Sequence, residues 1–87
     1  MMEDIIIANG KLNEWCDTEG INYYEGIEAL GFLFKYAVPK VDVVTIDFQE
    51  KSCMVWATLN GKSIIDHHED PALALFWALN SIIDLAP

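Results

Sequence analysis

The sequence contains no arginine, and its five lysines face 14 acidic residues, which gives a formal net charge of −9. Nucleic-acid binding depends on clustered cations that neutralise phosphates. A strongly acidic chain is also repelled by anionic membrane surfaces. We therefore expect no direct binding to nucleic acid or membrane, and we expect a basic protein to be attracted to this chain.

Cysteines and long hydrophobic runs are also scarce. Cys16 and Cys53 are too few for a disulfide framework, so we expect two reduced thiols, with a single disulfide as the open alternative. The longest uncharged stretch, 71–83, is shorter than the about 20 residues that span a bilayer. Glu3 and Asp4 stand where a signal peptide carries basic residues. These features predict a cytoplasmic protein.

Recognisable catalytic patterns are missing as well. The serines lie in a predicted hairpin or inside a predicted helix, and no glycine-rich phosphate loop is present. One cluster, Asp66–Asp70, brings two histidines and three acids together. Adjacent histidines point in different directions, whereas zinc sites have defined ligand spacings, so we interpret the cluster as a strand-to-helix connection. We predict no catalytic residue, no metal and no cofactor.

Two kinds of chemistry at this cluster stay open as alternatives. The first is a small metal-dependent enzyme centred on residues 66–70. The second is a thiol nucleophile that pairs Cys53 with His67 or His68, since hairpin strands bring distant residues together.

Apolar residues make up 53% of the chain, and 87 residues suit one domain, 1–87. Hydrophobic periodicity predicts helices over 3–16, 23–37 and 72–85, and β-branched runs predict strands over 41–48, 53–59 and 62–66. The sequence thus predicts an α+β fold in the order α-α-β-β-β-α, with a three-stranded antiparallel meander and helices packed on its faces.

Local signals define the ends of these elements. Asn60-Gly61 is typical of a two-residue type I′ turn, and Asp70 followed by Pro71 is typical of a helix start. Asn22 is predicted to cap the second helix and Pro39 to end it. Whether the first helix continues through Gly10 is left open.

Neither face of the predicted sheet is clearly polar. In the first strand Val44 and Ile46 oppose Val43, and in the second strand Val55 and Ala57 oppose Trp56. A sheet with two apolar faces needs cover on both. Helices on both faces would supply it, as would helices on one face and a second copy of the chain on the other, which predicts a homodimer.

Aromatic residues flank the acidic stretch 17–25. Trp and Tyr are enriched at protein interfaces, although aromatics at helical spacing also form cores. The candidate partner-binding residues are Trp15, Asp17, Glu19, Tyr23 and Tyr24.

Residues 12–85 resemble the small phage ABA-sandwich domain family. The matching features are Trp15 in an N-terminal helix, the strand segment 54–56 and the helix start at 70–75. This resemblance implies helices that flank a short antiparallel sheet and a phage or prophage origin. It implies no catalytic residue.

These observations predict a non-enzymatic acidic protein that acts as a protein-interaction module, one form of which is an inhibitor of a basic host protein. A structural phage assembly component and the small metal-dependent enzyme are the alternatives.

Overall fold

A computed structural model gives the structure of residues 4–86. It confirms the predicted α+β fold and element order. The elements are α1 (Ile5–Cys16), α2 (Ile27–Phe32, continued by a π turn at Leu33–Ala37 and a 3-10 turn at Val38–Lys40), β1 (Val43–Gln49), β2 (Ser52–Leu59), β3 (Lys62–His68) and α3 (Pro71–Leu85).

Helix α1 runs without a break through Gly10. The Asp4 carboxylate accepts the backbone N–H of Ile6 at 2.7 Å and caps the helix start. Ala8 and Leu12 are fully buried on one side of the helix, while Gly10 lies exposed on another. The packing of the buried stripe therefore outweighs the modest helix propensity lost at one glycine.

Helix α2 begins at Ile27, so the predicted start at Tyr23 is wrong. Gly26 has φ +83°, which is not helical and interrupts the path. The Asn22 carboxamide does accept the N–H of Glu25 at 2.9 Å, but it stabilises an isolated turn before the helix. The Asn22 capping bond therefore forms, but it belongs to this turn and not to α2.

The end of α2 also differs from the prediction. Pro39 lies inside the 3-10 turn Val38–Lys40, and the backbone stays helical beyond the expected end at Ala37. Proline has no N–H to donate, and π and 3-10 turns change the hydrogen-bond spacing around it. The chain leaves helical geometry at Val41, whose N–H still bonds to the carbonyl of Val38.

The three strands form an antiparallel meander in the order β1-β2-β3. Asn60 and Gly61 have φ values of +52° and +79°, which confirms the type I′ turn. Strand β3 continues to His68, whereas the prediction ended it at Asp66. His67 and His68 are therefore strand residues, so the interpretation of 66–70 as a connection is wrong for 66–68 and holds for Glu69 and Asp70.

Helix α3 is the middle layer of the molecule. One side packs on the sheet face formed by Cys53, Val55, Ala57 and Leu59 of β2, and the other contacts α1 and α2. Residues on both sides of α3 are buried: Ala74, Leu75, Phe76, Ala78, Leu79 and Ile82. The two apolar faces seen in its sequence are explained by this double contact.

The second face of the sheet is open. None of the helices within residues 4–86 covers it, and Val43, Trp56 and Ile65 are 53%, 36% and 49% exposed on that side. All described helices lie on the opposite side. A second copy of the chain on this face stays a prediction.

Two asparagines of α1 hold the segment that leads to α2. The Asn13 Nδ2 donates to the carbonyl of Ile21 at 2.8 Å, and its Oδ1 accepts the N–H of Ile21 at 3.1 Å. The Asn9 Oδ1 accepts the N–H of Tyr23 at 2.9 Å. Thr18 Oγ1 donates to the Asn13 Oδ1 at 2.9 Å. Side chains thus replace the secondary structure that this segment lacks.

Tyr23 is fully buried beside this network, with its hydroxyl 2.7 Å from Thr18 Oγ1. Burial raises the pKa of Tyr23 to about 12, against about 10 in an unfolded chain.

We expect the stabilisation that comes from keeping the Tyr23 hydroxyl protonated to be complete below about pH 10 and to be lost as the pH rises towards 12. Tyrosinate absorbance of the native protein should show one delayed step, which Tyr23→Phe removes. An absorbance change in the native protein that Tyr23→Phe leaves unaltered above pH 11 would contradict this expectation.

Candidate functional site

A pocket of about 450 Å³ lies between β3 and α3. The residues that line it are Asp66, His67, His68, Trp77, Asn80, Ser81 and Asp84. They belong to two adjacent elements, so the pocket is built into the contact between sheet and helix. We call it the β3–α3 pocket.

The helical wall of the pocket follows from the spacing of its residues. Trp77, Ser81 and Asp84 are four and three positions apart, and Asn80 lies beside them on the same face. Helix α3 begins at Pro71, where the Asp70 carboxylate accepts the N–H of Ala72 at 2.9 Å, and its packing on β2 and β3 turns this stripe towards the sheet. The sequence therefore places four polar or aromatic groups in one stripe of an otherwise apolar helix.

The strand wall follows from the register of the sheet. Asp66 lies opposite Val55, and His68 lies opposite Cys53, so both side chains are on the helix-facing side of β3. His68 Nδ1 accepts the backbone N–H of Asp70 at 3.2 Å. This bond leaves the proton of the neutral ring on Nε2.

Asn80 is the most unusual residue of the pocket wall. It is 2% exposed, the single polar residue among the buried ones within residues 4–86. Its Nδ2 donates to the carbonyl of Phe76 at 3.0 Å. Its Oδ1 has no hydrogen-bond partner among the described residues. A buried acceptor without a partner costs about 1–3 kcal/mol, and a hydrogen-bond donor that reached this atom would recover that cost.

The charge of the pocket is negative. Asp66 on β3 and Asp84 on α3 contribute carboxylates, and no lysine is among the described residues that line it. Lys11 of α1 approaches from outside and pairs with Asp84, with Nζ 2.8 Å from Oδ2. The Asp84 side chain is 64% exposed, so this pair is a weak surface interaction.

The described residues around the β3–α3 pocket do not form a metal-binding arrangement. Within residues 4–86, no group of three or more His, Cys, Asp or Glu side chains is placed to hold a metal ion. Consecutive positions of β3 put His67 and His68 on opposite faces. The metal-dependent enzyme at residues 66–70 therefore stays an untested hypothesis.

The structure does place Cys53 beside a histidine, because Cys53 of β2 and His68 of β3 are cross-strand partners. Cys53 is 1% exposed, however. Burial raises the pKa of its thiol, and the charge of Asp47 raises it further. A buried and protonated thiol is a poor nucleophile. Cys53 and Cys16 are both free thiols.

The predicted partner-binding residues differ in their exposure to solvent. Asp17 and Glu19 are exposed, and Trp15 and Tyr24 are half-buried. The Tyr24 ring lies 5.8 Å from the Phe76 ring. Tyr23 is completely buried, so its side chain offers no surface to a partner in this structure.

Trp15 connects this predicted surface with the pocket. It lines a second depression of about 380 Å³ together with Lys11, Glu14, Ile83 and Asp84. Asp84 borders both hollows. The predicted partner-binding residues therefore lie beside the β3–α3 pocket, whose strand wall belongs to the Asp66–Asp70 cluster of the sequence analysis.

None of the helices within residues 4–86 has the length and hydropathy of a bilayer-spanning segment. The resemblance to the phage ABA-sandwich family stays a prediction. Comparison with protein-family models, with curated proteins and with solved structures finds no match in any of the three.

Proposed function

We propose that the chain is a non-enzymatic protein-interaction module, that its partner is a basic protein, and that the partner docks over the β3–α3 pocket. One observation carries the proposal. The pocket combines the Asp66 carboxylate, an Asp84 carboxylate that already pairs with Lys11 at the rim, and a buried, unpartnered oxygen at Asn80, and its described lining residues include no lysine.

Charge acts at two ranges in this proposal. The net charge of −9 attracts a basic protein from a distance and raises the association rate. Such attraction does not select a binding surface. At contact, Asp66 and Asp84 provide the local complementarity that places the partner at the pocket.

The proposal is tested with a short peptide of alternating lysine and glycine, and with a glutamate–glycine peptide of the same length. We expect binding of the basic peptide alone, weakening as salt is added. Asp66→Asn should weaken this binding about fivefold to tenfold, because it removes a carboxylate from the pocket. Titration calorimetry measures both effects.

Asp47→Asn is the matched control. Asp47 lies on the open face of the sheet, and its replacement changes the net charge by the same amount. We expect a loss of less than about twofold from this control. Equal losses in the two variants would show that only net charge matters and would overturn docking at the pocket.

A further inference from the structure

We propose that the β3–α3 pocket holds a single cationic side chain of the partner, a lysine ammonium or an arginine guanidinium, and that the Asn80 Oδ1 accepts one of its N–H groups. This inference rests on the proposed function and specifies its chemistry. It makes the pocket a specific receptor for one residue.

The requirement for a hydrogen-bond donor comes from Asn80. Its Nδ2 is already bonded to the carbonyl of Phe76 at 3.0 Å, which fixes the orientation of the amide. The remaining Oδ1 can only accept, and it has no partner among the described residues. A ligand that satisfies it must therefore carry an N–H or O–H group.

The requirement for positive charge comes from the two walls. Asp66 approaches from β3 and Asp84 from α3. The chain itself shows that an ammonium fits at this rim, because Lys11 Nζ lies 2.8 Å from the Asp84 Oδ2. A phosphate or carboxylate ligand would meet like charge here, whereas a lysine or arginine gains charge-assisted hydrogen bonds.

Trp77 supplies the third element of recognition. It lines the pocket, and its ring packs edge-on against Phe76 with centroids 4.9 Å apart and an interplanar angle of 80°. Phe76 is fully buried, so the indole is held by a rigid neighbour. Indole rings attract ammonium and guanidinium groups, and they also contact the methylene stems of these side chains.

The experiment uses small probes on the full chain. The ¹⁵N-labelled protein is titrated with n-butylammonium, with n-propylguanidinium and with the neutral butan-1-ol. We expect saturable shifts of the Asn80 side-chain amide and of the Trp77 indole N–H with the two cations, and no saturable shift with the alcohol. Tighter binding of n-butylammonium would identify lysine as the preferred residue, and tighter binding of n-propylguanidinium would identify arginine. Similar shifts with all three probes would overturn the requirement for charge.

Asn80→Leu removes the acceptor and keeps a side chain of similar size. It also removes a buried unsatisfied group, so we expect the thermal midpoint to stay the same or to rise. Cation binding should fall about tenfold. Trp77→Leu is the second variant, and we expect it to weaken cation binding as well. Unchanged cation binding in folded Asn80→Leu protein would overturn the role of Asn80.

The two proposals fail in different ways. If the lysine–glycine peptide binds in an Asp66-dependent manner while small cations leave the Asn80 and Trp77 signals unchanged, the receptor for one side chain is wrong and docking over the pocket stands. If neither peptide nor cation binds, both proposals are wrong.

Discussion

Replacement of Phe76 with alanine is expected to lower the free energy of unfolding by about 3–5 kcal/mol. Phe76 is completely buried in the middle layer, where its ring contacts Tyr24 from the α1–α2 segment and Trp77 of α3. The cavity left by alanine would therefore weaken both sides of α3 at once. Since native proteins have about 5–15 kcal/mol of stability in total, this one substitution would remove a large fraction of it.

Phe48→Ala provides the matched control for this prediction. The chemical change is the same, but Phe48 is 69% exposed on strand β1. We expect it to lower the free energy of unfolding by less than about 1 kcal/mol. Urea denaturation followed by far-ultraviolet circular dichroism measures both variants. Equal losses would contradict the assignment of α3 as the middle layer.

Replacement of Asn13 with alanine is expected to lower the free energy of unfolding by about 2–3 kcal/mol, although Asn13 is a polar residue of an outer helix. Its carboxamide bonds both the carbonyl and the N–H of Ile21, and it also accepts from Thr18. Alanine leaves the N–H of Ile21 without its acceptor. The loss combines missing hydrogen bonds with the cost of an unsatisfied backbone group.

Hydrogen exchange separates this effect from a general loss of stability. The Ile21 amide should lose most of its protection in Asn13→Ala, because the side chain that accepts its N–H is gone. The neighbouring and exposed Glu14 serves as the control, and Glu14→Ala should leave the Ile21 amide protected. If Ile21 exchanges slowly in Asn13→Ala, the asparagine does not hold the segment.

The parts of the fold with local chemical signals were predictable. Asn60-Gly61 specified a turn that requires positive φ at both positions. Asp70 and Pro71 specified the start of α3. The start of α2 was not predictable in the same way, because the Asn22 cap and the positive φ of Gly26 compete within five residues.

The candidate site depended on information that a sequence pattern does not carry. Asp66 and Asn80 are 14 positions apart and line one pocket only because α3 packs beside β3. Two signals were present, however. The Asp66–Asp70 cluster contributes three of the lining residues. Asn80 is a polar residue in the middle of a helix that is otherwise almost entirely apolar, and a buried amide of this kind usually has a specific partner.

Tyr23 differs from the other predicted partner-binding residues, because its side chain is buried. Its position beside acidic residues suggested an interface, but a tyrosine whose hydroxyl reaches Thr18 is fully satisfied in the core. The aromatic count alone does not separate these two roles, because both use the same large apolar ring. The hydrogen-bond network of α1 decides between them.

The central position of α3 also determines when the domain can fold during synthesis. The ribosome makes α1 and α2 first, but the surface against which they pack is provided by residues 71–85, which are made after every other described element. The meander likewise has its apolar face uncovered until that helix emerges. We therefore expect the apolar faces of the earlier elements to stay unburied until α3 has been made, and we expect the many carboxylates to oppose aggregation during that interval.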